Sequence, residues 1–109
     1  MVSDSIDHSI LELNLLTENF ENNNFLDVIF HQIAMLNLKK NGLIEDNQNN
    51  KKLDSIAIDY FNKSLKTDTN DELIVAKNYN ELAELNFRNK NYLTAGQYYD
   101  SSLTQLNNK

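Results

Sequence analysis

Small and apolar residues in the second half of the chain recur at three- and four-residue steps. The first run is Leu73, Ala76, Tyr79, Leu82, Ala83, Leu85 and Phe87. The second is Tyr92, Ala95, Tyr98, Tyr99, Ser102, Leu103 and Leu106. That spacing is one face of an α-helix; a half-buried strand would need strict alternation, which is absent. Thr69 followed by Glu72 reads as a capping box opening the first of these helices, and Asn89-Lys90-Asn91 as a polar turn closing it. The first half gives the same reading. Phe25, Val28, Ile29, Ile33, Ala34, Leu36 and Leu38 predict one helix, and Leu53, Ile56, Ala57, Tyr60, Phe61, Ser64 and Leu65 another. Ser5 to Leu16 adds one more, so five helices and no strand are predicted.

The helices repeat in pairs. Ala57-Ile58-Asp59-Tyr60-Phe61-Asn62-Lys63-Ser64-Leu65 returns 38 residues later as Ala95-Gly96-Gln97-Tyr98-Tyr99-Asp100-Ser101-Ser102-Leu103. Phe30-His31-Gln32-Ile33-Ala34-Met35-Leu36-Asn37-Leu38 is echoed by Tyr79-Asn80-Glu81-Leu82-Ala83-Glu84-Leu85-Asn86-Phe87. The order A, B, A, B marks a repeat protein, whose units stack in one dimension and build a binding surface. Leu16 to Phe30 and Leu65 to Tyr79 are both 14 residues, whereas Ala34 to Ala57 is 23 and Ala83 to Ala95 is 12. The 11 extra residues fall in the polar stretch 41–51, which predicts a surface loop. The organisation is then a partial unit at 1–18, a unit at 24–66 carrying the insertion, and a unit at 71–107. Gly96 weakens its helix by about 1 kcal/mol relative to Ala, a loss that a close approach of the neighbouring helix would offset.

These positions resemble the tetratricopeptide repeat. That pattern has an aromatic, an aliphatic followed by a small residue, an aromatic at the turn, Ala, a further aromatic, and a small residue before an aliphatic. The second unit supplies Tyr79, Leu82-Ala83, Tyr92, Ala95, Tyr99 and Ser102-Leu103; the first supplies Phe30, Ile33-Ala34, Ala57, Phe61 and Ser64-Leu65. The first unit departs at Asp54, where the turn aromatic belongs, and the usual terminal proline is absent. The resemblance implies an all-α helical solenoid of about five antiparallel helices, with Ala34, Ala57, Ala83 and Ala95 buried at helix contacts. It also implies a concave face built from the A helices. On the first of these the face comprises Val28, His31, Met35 and Lys39; on the second, Lys77, Asn80, Glu84, Phe87 and Arg88. Family members that clamp a peptide's C-terminal carboxylate place Asn after the small residue and Lys four positions before it. Here those positions hold Met35 and Glu84, and His31 and Asn80, so the clamp is not present.

Composition narrows the function. The 109 residues form one small domain with a net charge of −6 and scattered basic residues, so no electrostatic footprint for nucleic acid exists. No apolar run reaches membrane-span length, and the absence of cysteine excludes disulfides and thiolate metal sites. His8 and His31 lack acidic residues at metal spacing, and Asp68, Asp71 and Glu72 sit at a helix start, where carboxylates favour the dipole. Neither a catalytic site, a metal nor a cofactor is expected, and His31 reads as a groove-lining or surface histidine.

A narrower resemblance lies in Leu26-Asp27-Val28-Ile29-Phe30, in 54–65, and in 91–103 with its Ala-Gly followed by Tyr-Tyr-Asp-Ser. These look like the repeat region of the SprE/PorW lipoproteins of gliding motility and type IX secretion in Bacteroidetes. The resemblance implies a non-catalytic scaffold on the periplasmic side of the outer membrane, binding other proteins or peptide segments such as secretion-machinery subunits. The uncapped ends imply an excerpt of a longer array, monomeric as a fragment and not itself membrane-inserted. Two alternatives stay open: a cytoplasmic sensor segment of a bacterial sensor kinase or transcription regulator, and a scaffold from a eukaryote with an AT-rich genome.

Overall fold

The structure, a computed structural model, describes residues 2–19, 25–43, 47–67 and 71–107. Among the described residues the chain is all-helical, with α1 (Val2–Asn19), α2 (Leu26–Asn41), α3 (Asn47–Lys66), α4 (Glu72–Arg88) and α5 (Tyr92–Asn107). Side-chain contacts fix the directions. The start of α2 meets the end of α3 where Ser64 Oγ donates to the Asp27 carbonyl, and the end of α2 meets the start of α3 where Asn41 Nδ2 donates to Asp54. The same crossing relates α4 to α5 through Ser102 and Ala76 at one end and Phe87 and Tyr92 at the other. Contacts of Asp7 with Lys40 and of Asn14 with Tyr60 run α1 antiparallel to α2. The result is a slab of 42 × 37 × 16 Å. Its thin dimension matches two helix layers, since packed axes lie about 8–10 Å apart.

The two hairpins repeat each other's contacts. Phe30 meets Tyr60 at 6.2 Å between ring centroids, and their counterparts Tyr79 and Tyr98 stack at 6.0 Å. Ser64 Oγ to the Asp27 carbonyl (2.7 Å) is matched by Ser102 Oγ to the Ala76 carbonyl (2.8 Å). Ala34, Ala57, Ala83 and Ala95 are all buried, and a Cβ-only side chain at each lets two helix backbones approach. Ala34, Ala57, Phe61, Leu82 and Leu85 form the core that joins the hairpins.

Three local expectations change. Much of the stretch 41–51 is helical: α2 runs through Asn41 and α3 is already formed from Asn47, while 44–46 lie outside the described residues. Gln, Asn and Lys oppose a helix only weakly, by well under 1 kcal/mol each, so the insertion lengthens α3 and leaves a short connection. The cap of α4 is Asp71, whose carboxylate accepts from the Leu73 and Ile74 amides. Thr69 and Asp68 lie outside the described residues. At Gly96 no helix approaches, for a Cβ there would have nothing within 4 Å among the described residues. The turn after α4 does close as expected. Lys90 sits at φ 65°, and Asn91 N–H bonds back to the Asn86 carbonyl at 2.8 Å, satisfying a terminal carbonyl of the helix.

Candidate functional site

Of the nine predicted face residues, four converge. His31 and Met35 from α2 and Lys77 and Asn80 from α4 line an open groove of about 430 Å³, completed by Leu73, Ala76 and Glu81 of α4 and by Ser102 and Leu106 of α5. Glu84, Phe87 and Arg88 line a second groove of about 230 Å³ with Leu38, Leu85 and Tyr99. Glu81 borders both, so the two form one track along α4. Val28 and Lys39 line neither. The helix stripes predict Leu73, Ala76, Ser102 and Leu106 in the core; Ala76 and Ser102 are buried, whereas Leu73 and Leu106 are exposed, at 47% and 45%. Phe87 and Tyr92 are exposed as well, and hold each other edge to face at 5.3 Å.

The histidine differs most from expectation. His31 is buried, 7% exposed, and still lines the groove, so it is groove-lining without being a surface residue. Its Nδ1 lies 2.7 Å from Asn78 Oδ1, and Asn78 Nδ2 donates to Ser64 Oγ at 2.7 Å. With the amide oxygen turned to His31, Nδ1 carries the hydrogen and donates it. Ser64 passes the chain on to the Asp27 carbonyl, so α2, α3 and α4 are joined by one fully satisfied buried network. Burial holds the His31 pKa below its ordinary value of 6.5; the Asn78 hydrogen bond opposes this and the Lys77 charge adds to it. Asn78, fully buried, escaped the sequence reading because amides are mostly exposed. Its signal was the spacing of Asn78, Leu82 and Leu85, which puts all three on one helix face.

Charge on the track is mixed. Desolvation pushes the Glu81 carboxyl above its ordinary 4.5, with Glu84 adding to the shift and Arg88 opposing it. Arg88 is also committed across the hairpins, its guanidinium 3.1 Å from Asp54. Asp54, whose counterpart in the second hairpin is Tyr92, thus ties α2, α3 and α4 through Asn41 and Arg88. Among the described residues no group of three or more His, Asp or Glu side chains could hold a metal ion, and no helix is long and apolar enough to cross a membrane. No protein-family model, curated protein or solved structure matches the chain.

Proposed function

We propose that this chain is a non-catalytic protein–protein interaction scaffold of the tetratricopeptide type, a segment of a larger protein of the type IX secretion and gliding-motility machinery. The observation that carries the repeat reading is the duplication of contacts between the two hairpins: the same serine-to-carbonyl bond and the same aromatic pair at equivalent positions. A repeat built this way presents side chains of α2 and α4 along one track, which suits a protein segment better than a small substrate. The narrower assignment, with its periplasmic location at the outer membrane, rests on the resemblance of 26–30, 54–65 and 91–103 to the SprE/PorW repeats. Its binding residues are Met35, Lys77 and Asn80, with Glu84, Phe87 and Arg88 further along the track.

The test is recovery of secretion-machinery subunits on the immobilised chain, against a Met35→Glu, Asn80→Glu double variant whose helicity is checked by circular dichroism. Both positions are only partly buried, so the fold should survive. Reduced recovery with the variant supports the reading; equal recovery removes the track as the binding site.

A further inference from the structure

The lengthened start of α3 builds a cavity for which the second hairpin has no wall. In the repeat register Asp54 matches Tyr92, the first residue of α5, so residues 47–53 of α3 have no helical counterpart. Two of them, Lys52 and Leu53, line a cavity of about 370 Å³ with residues of α1 and α2; their register partners Lys90 and Asn91 lie in the turn after α4. One wall is apolar, made by Ile10, Ile56 and the buried Leu53. The rest carries both signs of charge and one buried amide. Asn37 is 5% exposed, and its Nδ2 donates to the Ile33 carbonyl at 2.9 Å, one turn back in its own helix. That bond fixes the amide's orientation and leaves Oδ1 as an acceptor to which no group donates among the described residues. No fully enclosed side-chain oxygen or nitrogen among them lacks a partner, so this oxygen is open to the cavity that Asn37 lines. Beside it, Lys40 places one hydrogen on Asp7 at 2.6 Å and keeps two. Lys52 is exposed and makes no ion pair among the described residues.

We propose that this cavity binds a free aliphatic α-amino acid, of the size of leucine, as its zwitterion. The ligand carboxylate meets the ammonium groups of Lys52 and Lys40, and the ligand ammonium donates to Asn37 Oδ1 and the Asp7 carboxylate. The branched side chain lies on Ile10, Leu53 and Ile56. Neither charge suffices without the other. A simple anion would leave the Asn37 acceptor unmet, and a simple amine would face two ammonium groups. The end of a polypeptide supplies only one of the two charges on a single residue, which selects the free amino acid. The volume is that of a small-molecule site. The cavity shares no residue with the track along α4, so the inference goes beyond the protein-binding reading and stands apart from it.

The probe is L-leucine, titrated into the isotope-labelled full chain and followed through its backbone amide shifts. Saturable shifts are expected at Asn37, Lys40, Lys52 and Leu53. Lys52→Gln, at an exposed position, should weaken binding about tenfold, the loss that one charge-assisted hydrogen bond supplies. Asn37→Leu should do the same; if that chain fails to fold by circular dichroism, Lys52→Gln decides alone. Leucinamide, which lacks the carboxylate, and N-acetyl-leucine, which lacks the ammonium, should each bind more weakly than leucine by the same factor or more. The absence of saturable shifts with leucine overturns the proposal, as does unchanged affinity of the Lys52→Gln chain. Equal binding by leucinamide or by N-acetyl-leucine also overturns it, because the cavity would then hold the end of a polypeptide.

Discussion

The buried Asn78 amide offers the sharpest test of how the hairpins are joined. Asn78→Ala deletes the acceptor for His31 Nδ1–H and the donor to Ser64 Oγ, both at 2.7 Å. Ser64 keeps its bond to the Asp27 carbonyl, so its loss is one ordinary hydrogen bond, about 1 kcal/mol. The His31 N–H is left buried without an acceptor, at about 1–3 kcal/mol. The sum is roughly 2–4 kcal/mol, a large part of the 5–15 kcal/mol that holds a typical domain folded. With a urea m-value of about 2 kcal/mol/M, the midpoint should fall by about 1–2 M. The decisive measurement is a double-mutant cycle with His31→Ala. Once Asn78 is gone the histidine has no amide to lose, so the coupling should be about 1–2 kcal/mol. Additivity of the two single effects within about 0.5 kcal/mol would refute the network as the joint.

Ala83→Leu, at a fully buried helix contact, should lower the urea midpoint by an amount equivalent to about 1–3 kcal/mol through overpacking. Gly96→Ala should raise thermal stability, by about 0.4–1 kcal/mol, because the added methyl meets nothing and the helix loses a flexible residue; a lower midpoint would mean that a neighbour does approach. For pH, the folded state holds the His31 pKa below 6.5 while the unfolded chain takes up its proton near 6.5. The unfolded state therefore binds more protons in that window, and stability, complete above pH 6.5, declines as pH falls from 6.5 towards the lowered value. Urea midpoints of the wild type and of His31→Asn, measured from pH 7.5 to 5, should converge as pH falls; a constant gap would contradict a neutral buried ring.

Periodicity made the helices legible because each hairpin buries a stripe at three- and four-residue steps, and the internal echo made Ala34, Ala57, Ala83, Ala95 and Ser64 legible as contact residues. What the stripe could not reveal is which part of it is covered. Leu73, Phe87, Tyr92, Leu103 and Leu106 carry the same pattern as their buried neighbours, yet all five are exposed among the described residues, because covering depends on neighbouring helices and not on their own. The polar insertion misled for another reason. Asn, Gln and Lys advertise solvent, and solvent exposure is compatible with a surface helix as well as with a loop. The placement of the candidate face was partly legible: His31, Met35, Lys77 and Asn80 share a groove, while the burial of His31 against Asn78 was not, because it depends on a partner from another helix.

Packing within each hairpin is far more extensive than packing across the seam from α4 to α2 and α3. Much of that seam's specificity lies in a few bonds: Asn78 to His31 and Ser64 near one end, Arg88 to Asp54 at the other. Such a distribution makes each hairpin a cooperative unit, and the seam the plane along which the molecule opens. Amide hydrogens along α4 and α5 should then exchange through a shared sub-global opening, below the free energy of complete unfolding. Protonation of His31 would widen that opening, so mild acid should speed exchange at the seam before it unfolds either hairpin. The buried polar joint thus sets how far the slab can flex as well as how tightly it holds.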